Sequence, residues 1–351
     1  MTQAYFIVPG LLVPNRNVLK AIPPEAIACV EKLTQGAEDW TEQTLAESHQ
    51  TGSAHLIWCW RVLTRSREAM ATAPYRWVTQ GGPRLSGQIW RLTLLHCDEN
   101  GGVLGKTSLT EAQQDRVYSV LYPLFQKEGF TLQRWDADFY LSRKTPWQVS
   151  VREVETLLGH PIPSEEGFFS NKTENVTNAL TLLGTLTQAI QGLGIAGLEG
   201  LWIDGGGPIQ DFYPPTQIRS VLSDDAAVLG WADAAGILNH RVGKITGALS
   251  WPSDAPRGAV LALFPNLYKA WIQGDWDAWN RALPTLAEQL ITLKEAARLR
   301  GCNEALIVAC GGKMTKTFTV KLTNPKSLLS RFRPQKSPDV NAWIIEEASH
   351  R

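Results

Sequence analysis

Short apolar runs alternate with amphipathic stretches along this chain. "AYFIV" at 4–8 is aromatic and β-branched and ends at Pro9-Gly10, which predicts a short buried strand. A helix pattern follows over 24–35, with Pro24 acceptable in its first turn. Residues 40–70 read as an amphipathic helix: Thr41 to Thr44 offers a cap and apolar positions recur through "AHLIWCWRVL". "TAPYRWVTQGGPR" at 72–84 is rich in turn formers and predicts a break between domains.

Residues 87–96, "GQIWRLTLLH", alternate well enough for a strand, and "DENGG" at 98–102 is a tight turn. The stretch 108–130 reads as a helix, capped by Ser108 with Glu111 three residues on and ending near Gly129. "TLQRWDADFYLSRK" at 131–144 is a strand or hairpin, so 87–144 predicts a compact α+β module. A helix is predicted over 172–191, and then "GLEGLWIDGGGP" reads as a strand entering a glycine turn. Beyond it come a small-residue helix at 226–238, a strand within 258–272, a helix at 274–300 and a strand at 304–311 with a hairpin partner at 315–322. Strands alternating with helices predict an α/β fold, a mostly parallel sheet with helices on both faces.

Composition narrows the class. The 351 residues carry 34 basic and 34 acidic side chains, so net charge gives no reason to expect a nucleic-acid or membrane-surface partner. The one basic strip, "KSLLSRFRPQK" at 326–336, reads as a solvated tail. The N-terminal apolar stretch, Ala4 to Leu12, is broken by Pro9-Gly10 and has no basic residues before it, unlike a signal peptide. No uninterrupted apolar stretch reaches the about 18 residues of a membrane span, and the expected location is cytoplasmic. Five cysteines with no CxxC pairing predict reduced, packed thiols. The 14 tryptophans predict core and interface packing, with a stacking surface as the other use.

Local motifs for chemistry are scarce. No HxH or HExxH occurs among the six histidines, so no metal site and no cofactor are predicted. A serine elbow is absent, and "GGVLGKT" at 101–107 misses the phosphate-loop spacing because Asn100 stands where its first glycine should. The paired acids Asp136/Asp138, Asp224/Asp225 and Asp275/Asp277 could do acid–base work, but such pairs are common on surfaces. "DGGGP" at 204–208 could present backbone amides to an anion, or could simply permit a turn. The candidate ligand-binding residues are therefore Trp202, Asp204, Gly205, Gly206 and Gly207.

"NVTNALTLLGTLTQAIQGLGIAGLEGLWIDGGG" resembles a segment of a bacterial family of regulatory proteins, the RpfE type, at Leu201, Trp202 and Gly205–Gly207. "SLTEAQQDRVYSVLYPLFQKEGF", "GDWDAWNRALPTLAEQL" and "LLSRFRP" resemble further blocks of it, so the likeness covers most of the chain. That family is similar to the archaeal type of cofactor-independent phosphoglycerate mutase, in the alkaline phosphatase superfamily. The resemblance implies an alkaline phosphatase-like core from 1–80 and 226–351, with an α+β insertion over 81–225 carrying the glycine turn. In those enzymes an N-terminal strand ends in a metal-binding Asp and a late strand ends in Asp-His. Here the first ends in Pro9-Gly10, the second in Gly311-Gly312-Lys313, and "QGDWDAWN" lacks a histidine. Glu199 and Asp204 put acids where an anionic substrate would favour an amide and a base.

The expectation is a phosphoglycerate mutase-like protein without the metal ligands, regulatory or binding a phosphorylated small acid or a protein partner. One alternative is an active mutase or phosphatase with a rearranged site using Asp204, Asp275, Asp277 and a histidine. The other is an interaction scaffold whose tryptophans supply a partner surface.

Overall fold

The computed structural model describes residues 3–44, 52–135, 137–158, 168–169, 172–215, 217–241, 259–322 and 339–346. His49, Asp136, His160, His350 and the basic strip 326–336 lie outside the described residues. In chain order the strands are β1 (Gln3–Pro9), β2 (Ala37–Thr44), β3 (Gln88–Cys97), β4 (Val103–Lys106), β5 (Thr131–Trp135), β6 (Asp138–Arg143) and β7 (Ser150–Val151). They continue with β8 (Phe168–Phe169), β9 (Gly200–Pro208), β10 (Ile218–Leu222), β11 (Leu238–His240), β12 (Ala259–Leu263), β13 (Glu304–Cys310) and β14 (Met314–Lys321). The helices are α1 (Arg16–Ala21), α2 (Pro24–Thr34), α3 (Ala54–Thr64), α4 (Ala73–Thr79), α5 (Glu111–Lys127) and α6 (Thr173–Gln191). After these come α7 (Ala226–Ala234), α8 (Tyr268–Gln273), α9 (Trp276–Leu299) and α10 (Val340–Trp343).

The chain divides into two compact units: Met1–Glu47, Ala54–Ser66 and Phe212–Arg351 form the first, and Ser48–Ser53 with Arg67–Asp211 the second. Residues 67–80, grouped with the core on sequence, lie in the second unit, where α4 packs on β3 and β9. Residues 212–225 lie in the first, because β10 pairs with β12.

A seven-stranded sheet, ordered β11-β10-β12-β1-β13-β14-β2, is the frame of the first unit. The strands from β11 to β13 pair in parallel, and β14 and β2 add antiparallel pairings. Ala4, Phe6 and Val8 of β1 pack into a core with Val30 and Leu33 of α2 and Leu286 and Leu290 of α9. Tyr5 points the other way, its ring 6.2 Å from Trp58 of α3. A strand covered on both faces must be apolar at every position, which is why "YFIV" shows no alternation. Each such side chain contributes about 1.5–3 kcal/mol by burial. On the same side as Trp58, Trp60 sits 5.3 Å from Trp231 of α7.

Two expectations need correction here. Residues 40–44 are not helix but the end of β2, and among the described residues that follow the helix spans Ala54–Thr64. Pairing with β14 and the stacking of Trp40 on Phe318, at 4.4 Å, hold this mostly polar segment extended. Its register shifts between Thr317 and Thr319, so Asp39 and Trp40 together oppose Phe318, and Asp39 takes a left-handed φ of 53°. Within 72–84, the expected break is the short helix α4.

In the second unit β3 pairs antiparallel with β9 along most of its length, with β6 over its first half and with β4 at its end. Val117, Leu121 and Phe125 of α5 and Leu183, Leu186 and Ile190 of α6 close one core against Leu92, Leu94 and Trp202. Ala73 and Trp77 of α4 form a smaller cluster with Ile89 and Tyr140. The cap of α5 is Thr110, not Ser108: its hydroxyl accepts from the Gln113 amide, and the Gln113 side chain accepts from the Thr110 amide. Among the described residues, the large apolar side chains left exposed are Leu104, Tyr213, Leu238, Ile291 and Leu299, with no tryptophan among them. Among the described residues, no helix is long and apolar enough to cross a membrane.

Candidate functional site

Open α/β sheets bind ligands outside the carboxyl ends of their parallel strands. In the first unit those ends are Pro9, Leu222, His240, Leu263 and Cys310. Pro9 is in register with Cys310, and Gly10 and Gly312 both lie against Trp271. A Cβ at Gly10 would lie 2.9 Å from the Trp271 Cβ, and Gly10 has a φ of 74°. Two indoles tie the loop after β1: Trp279 Nε1 donates to the Gly10 carbonyl at 2.7 Å and Trp271 Nε1 to that of Leu12 at 2.6 Å.

The turn from β13 to β14 aims three backbone amides at one carboxylate. Gly312 N and Met314 N donate to Glu346 at 3.0 and 3.1 Å, and Lys313 N donates to it as well. Successive amides of this kind make an anion-binding nest. Glu346 is held there by its own amide, which donates to the Val13 carbonyl at 2.8 Å, and by the buried Trp343 and Ile344 before it. A side chain at Gly311 would strike this carboxylate, its Cβ lying 2.6 Å from the carboxyl carbon.

Two of the acids singled out on sequence cap helices. Asp225 caps α7, accepting from Ala227 N at 2.8 Å and Val228 N at 3.1 Å. Asp275 caps α9 through Ala278 N at 2.9 Å, and Asp277 is exposed in the first turn of that helix. His55 meets Tyr268 edge-on, ring centroids 4.5 Å apart. Among the described residues no group of three or more His, Cys, Asp or Glu is placed to hold a metal ion.

Trp202, Asp204 and Gly205–Gly207 lie in the second unit, on β9, which continues to Pro208. The expected glycine turn is therefore strand, with its register shifted against β3 between Ile89 and Arg91. Close approach explains the glycines. A Cβ at Gly205, where φ is 65°, would lie 2.2 Å from the Thr72 Oγ1; at Gly206 it would lie 1.9 Å from the Trp90 Nε1, and at Gly207 2.5 Å from the Ala71 Cβ. Thr72 N also donates to the Gly205 carbonyl at 3.0 Å. Gly206→Ala must displace the Trp90 indole and is expected to cost about 1–3 kcal/mol, the usual penalty of overpacking. Urea unfolding of the variant checks this; an unchanged midpoint would show that Trp90 can retreat freely.

Asp204 is completely buried and anchors a charge network. Its carboxylate accepts from Arg91 Nε at 3.2 Å, from Arg91 Nη2 at 3.1 Å and from Val154 N at 2.6 Å. Arg91 Nη2 also reaches both oxygens of Glu155, at 3.0 and 3.1 Å. Trp202 fixes the same loop, its Nε1 donating to the Arg152 carbonyl at 2.7 Å. Beside them Glu153 is buried, facing Thr72 and Arg76. Burial and the neighbouring Glu155 charge push the Glu153 carboxyl up to about 8. Burial also raises Glu155, but Arg91 and Arg76 outweigh it and hold that carboxyl at about 2. Burial lifts Asp204 above the ordinary carboxylate range despite Arg91. Glu153 thus keeps its proton to higher pH than an ordinary carboxyl, while Glu155 faces Arg91 and Arg76 as a carboxylate.

Sequence reading did not find Arg91, Glu153, Glu155 or Glu346. A signal existed for Arg91, an arginine inside the apolar run "IWRLTLL". Of the other acids singled out, Asp138 accepts from Gln80 at 3.1 Å and from Lys106, and Glu199 pairs with His96 Nδ1 at 2.8 Å.

No protein-family model matches the chain, and no curated protein matches it in sequence. Among solved structures it is similar to the cofactor-independent phosphoglycerate mutase from Thermoplasma acidophilum, with 12% identity, 92% of this chain and 90% of that one covered, and a TM-score of 0.38. It is also similar to the PH0037 protein from Pyrococcus horikoshii, with 12% identity, 91% and 87% covered, and a TM-score of 0.44.

Proposed function

We propose that the chain is a phosphoglycerate mutase-like protein that acts by binding, in a regulatory role, and not by metal-dependent phosphoryl transfer. The observation that carries this reading is the chemistry of the strand ends in the first unit. Metal-assisted phosphoryl transfer needs clustered carboxylates and imidazoles to hold its divalent ions. Pro9, Gly311 and Gly312 stand where the sequence resemblance expects such ligands, and none has a donor atom in its side chain. Asp225 and Asp275 are occupied as helix caps, and Glu346 as the guest of the Gly312–Met314 amides. In this reading Trp202, Asp204 and Gly205–Gly207 support the fold of the second unit, since Arg152, Arg91, Trp90 and Ala71 take up their polar atoms and free space.

The test is metal analysis of the purified full chain, with mutase and phosphatase assays in added Mn²⁺. No stoichiometric metal and no turnover above the uncatalysed control are expected. Tightly bound Mn²⁺ or Zn²⁺ accompanied by turnover that a chelator abolishes would sink the proposal.

A further inference from the structure

A polar cleft of about 380 Å³ opens in the second unit beside the ends of β5 and β6. Its lining residues include Arg143 and Lys144 and the hydroxyl-bearing Ser86, Thr131, Ser142 and Thr145. No acid lines it, and among the described residues no carboxylate pairs with either cation. Two cations with no carboxylate partner among the described residues make a locally positive site in a chain of zero net charge.

The cleft is shaped as well as charged. The Arg143 guanidinium carbon lies 5.0 Å from the centroid of the Phe130 ring, a cation–π contact. Gly129, with a φ of 78°, lies beside it, and a Cβ there would make ordinary contact with the Arg143 Nε at 3.7 Å. On the other wall Gly87 lets residues 85–87 lie directly against the Arg143–Lys144 backbone, since a Cβ would fall 2.3 Å from the Arg143 carbonyl oxygen. An arginine fork matches the oxygens of a tetrahedral oxyanion, a lysine adds a point charge, and hydroxyls complete the shell. The volume lies within the usual range for small-molecule sites.

We propose that this cleft is a binding site for a small anion bearing a phosphate group. It does not depend on how the strand ends of the first unit are read. The test is calorimetric titration of the full chain at low ionic strength with inorganic phosphate and with glycerol phosphate, against sodium chloride at matched ionic strength. Saturable binding is expected, weakened about ten-fold or more by Arg143→Gln and by Lys144→Gln, as loss of a charged hydrogen bond implies. Lys144 is exposed, so Lys144→Gln keeps the test valid should Arg143→Gln disturb the packing on Phe130. Tighter binding of the ester would support a phosphorylated small molecule as the ligand, and equal binding would support free phosphate. No saturable heat from either probe, or equal affinity in the wild type and both variants, would overturn the proposal.

Discussion

Arg91→Met should destabilise the protein by about 3–5 kcal/mol, as breaking a buried ion pair at one partner does. Arg91 supplies two of the three hydrogen bonds to the Asp204 carboxylate and bridges it to Glu155. Methionine would fill the space but leave a fully buried carboxylate with one amide donor. Glu155 has a milder fate, because its side chain is 28% exposed and can regain water. The penalty therefore belongs mainly to Asp204. It follows that Arg91→Met/Asp204→Leu should recover most of the loss, since an apolar pair often replaces a buried ion pair at little cost. Denaturant midpoints of the two variants decide it. A single variant within about 1 kcal/mol of wild type would mean that the network is not what holds β3 and β9 in register.

Glu153→Gln is expected to do the opposite, and to do so as a function of pH. The folded carboxyl keeps its proton up to about 8, whereas the ordinary value is 4.5. Between those limits the unfolded chain has released a proton that the folded chain still holds, so stability falls as pH rises. Below the lower limit the contribution is fully present, and above the upper one it is lost. A gap of this size is worth about 5 kcal/mol at most, less whatever part is shared with Asp204 and Glu155. Glutamine never ionises, so the variant should be increasingly more stable than wild type from pH 5 to 8 and keep a constant lead above that. Glu155 acts with the other sign: its contribution is present above the ordinary value and lost as pH falls through about 2. Thermal midpoints of wild type and variant across pH 4–9 give the comparison. Parallel curves would mean that Glu153 ionises normally.

What could be read from the sequence follows from where its patterns are local. "YFIV", "AVLAL" and "ALIVAC" are continuous because both of their faces are covered, and that leaves a mark in the chain itself. The helices α2, α5, α6 and α9 likewise show their periodicity. β2 shows nothing of the kind, for only Ala37 of its eight residues is buried and its extension is imposed by β14. The glycines at 205–207 were conspicuous, but the reason for them was not. Trp90, Thr72 and Ala71 are distant in sequence, and only the folded chain brings them against β9. The charge network was hidden for the same reason: Arg91 and Asp204 are 113 positions apart, and no spacing rule spans that distance. The nest around Glu346 joins the β13–β14 turn to a glutamate 34 positions beyond it.

The kink at Asp39 and Trp40 protects the large sheet. An outer strand exposes a row of unpaired amides and carbonyls, a template on which another chain can grow. In this protein the outermost strand is β2, which bears Glu38, Asp39 and Glu42 and departs from regular pairing at the bulge. Glu38 and Glu42 are tied inward to Lys321 and Lys316, while Asp39 is paired with neither. At the far side the described part of β11 has three residues. Among the described residues one margin is bent and acidic and the other is three residues long, both features that disfavour edge-to-edge pairing.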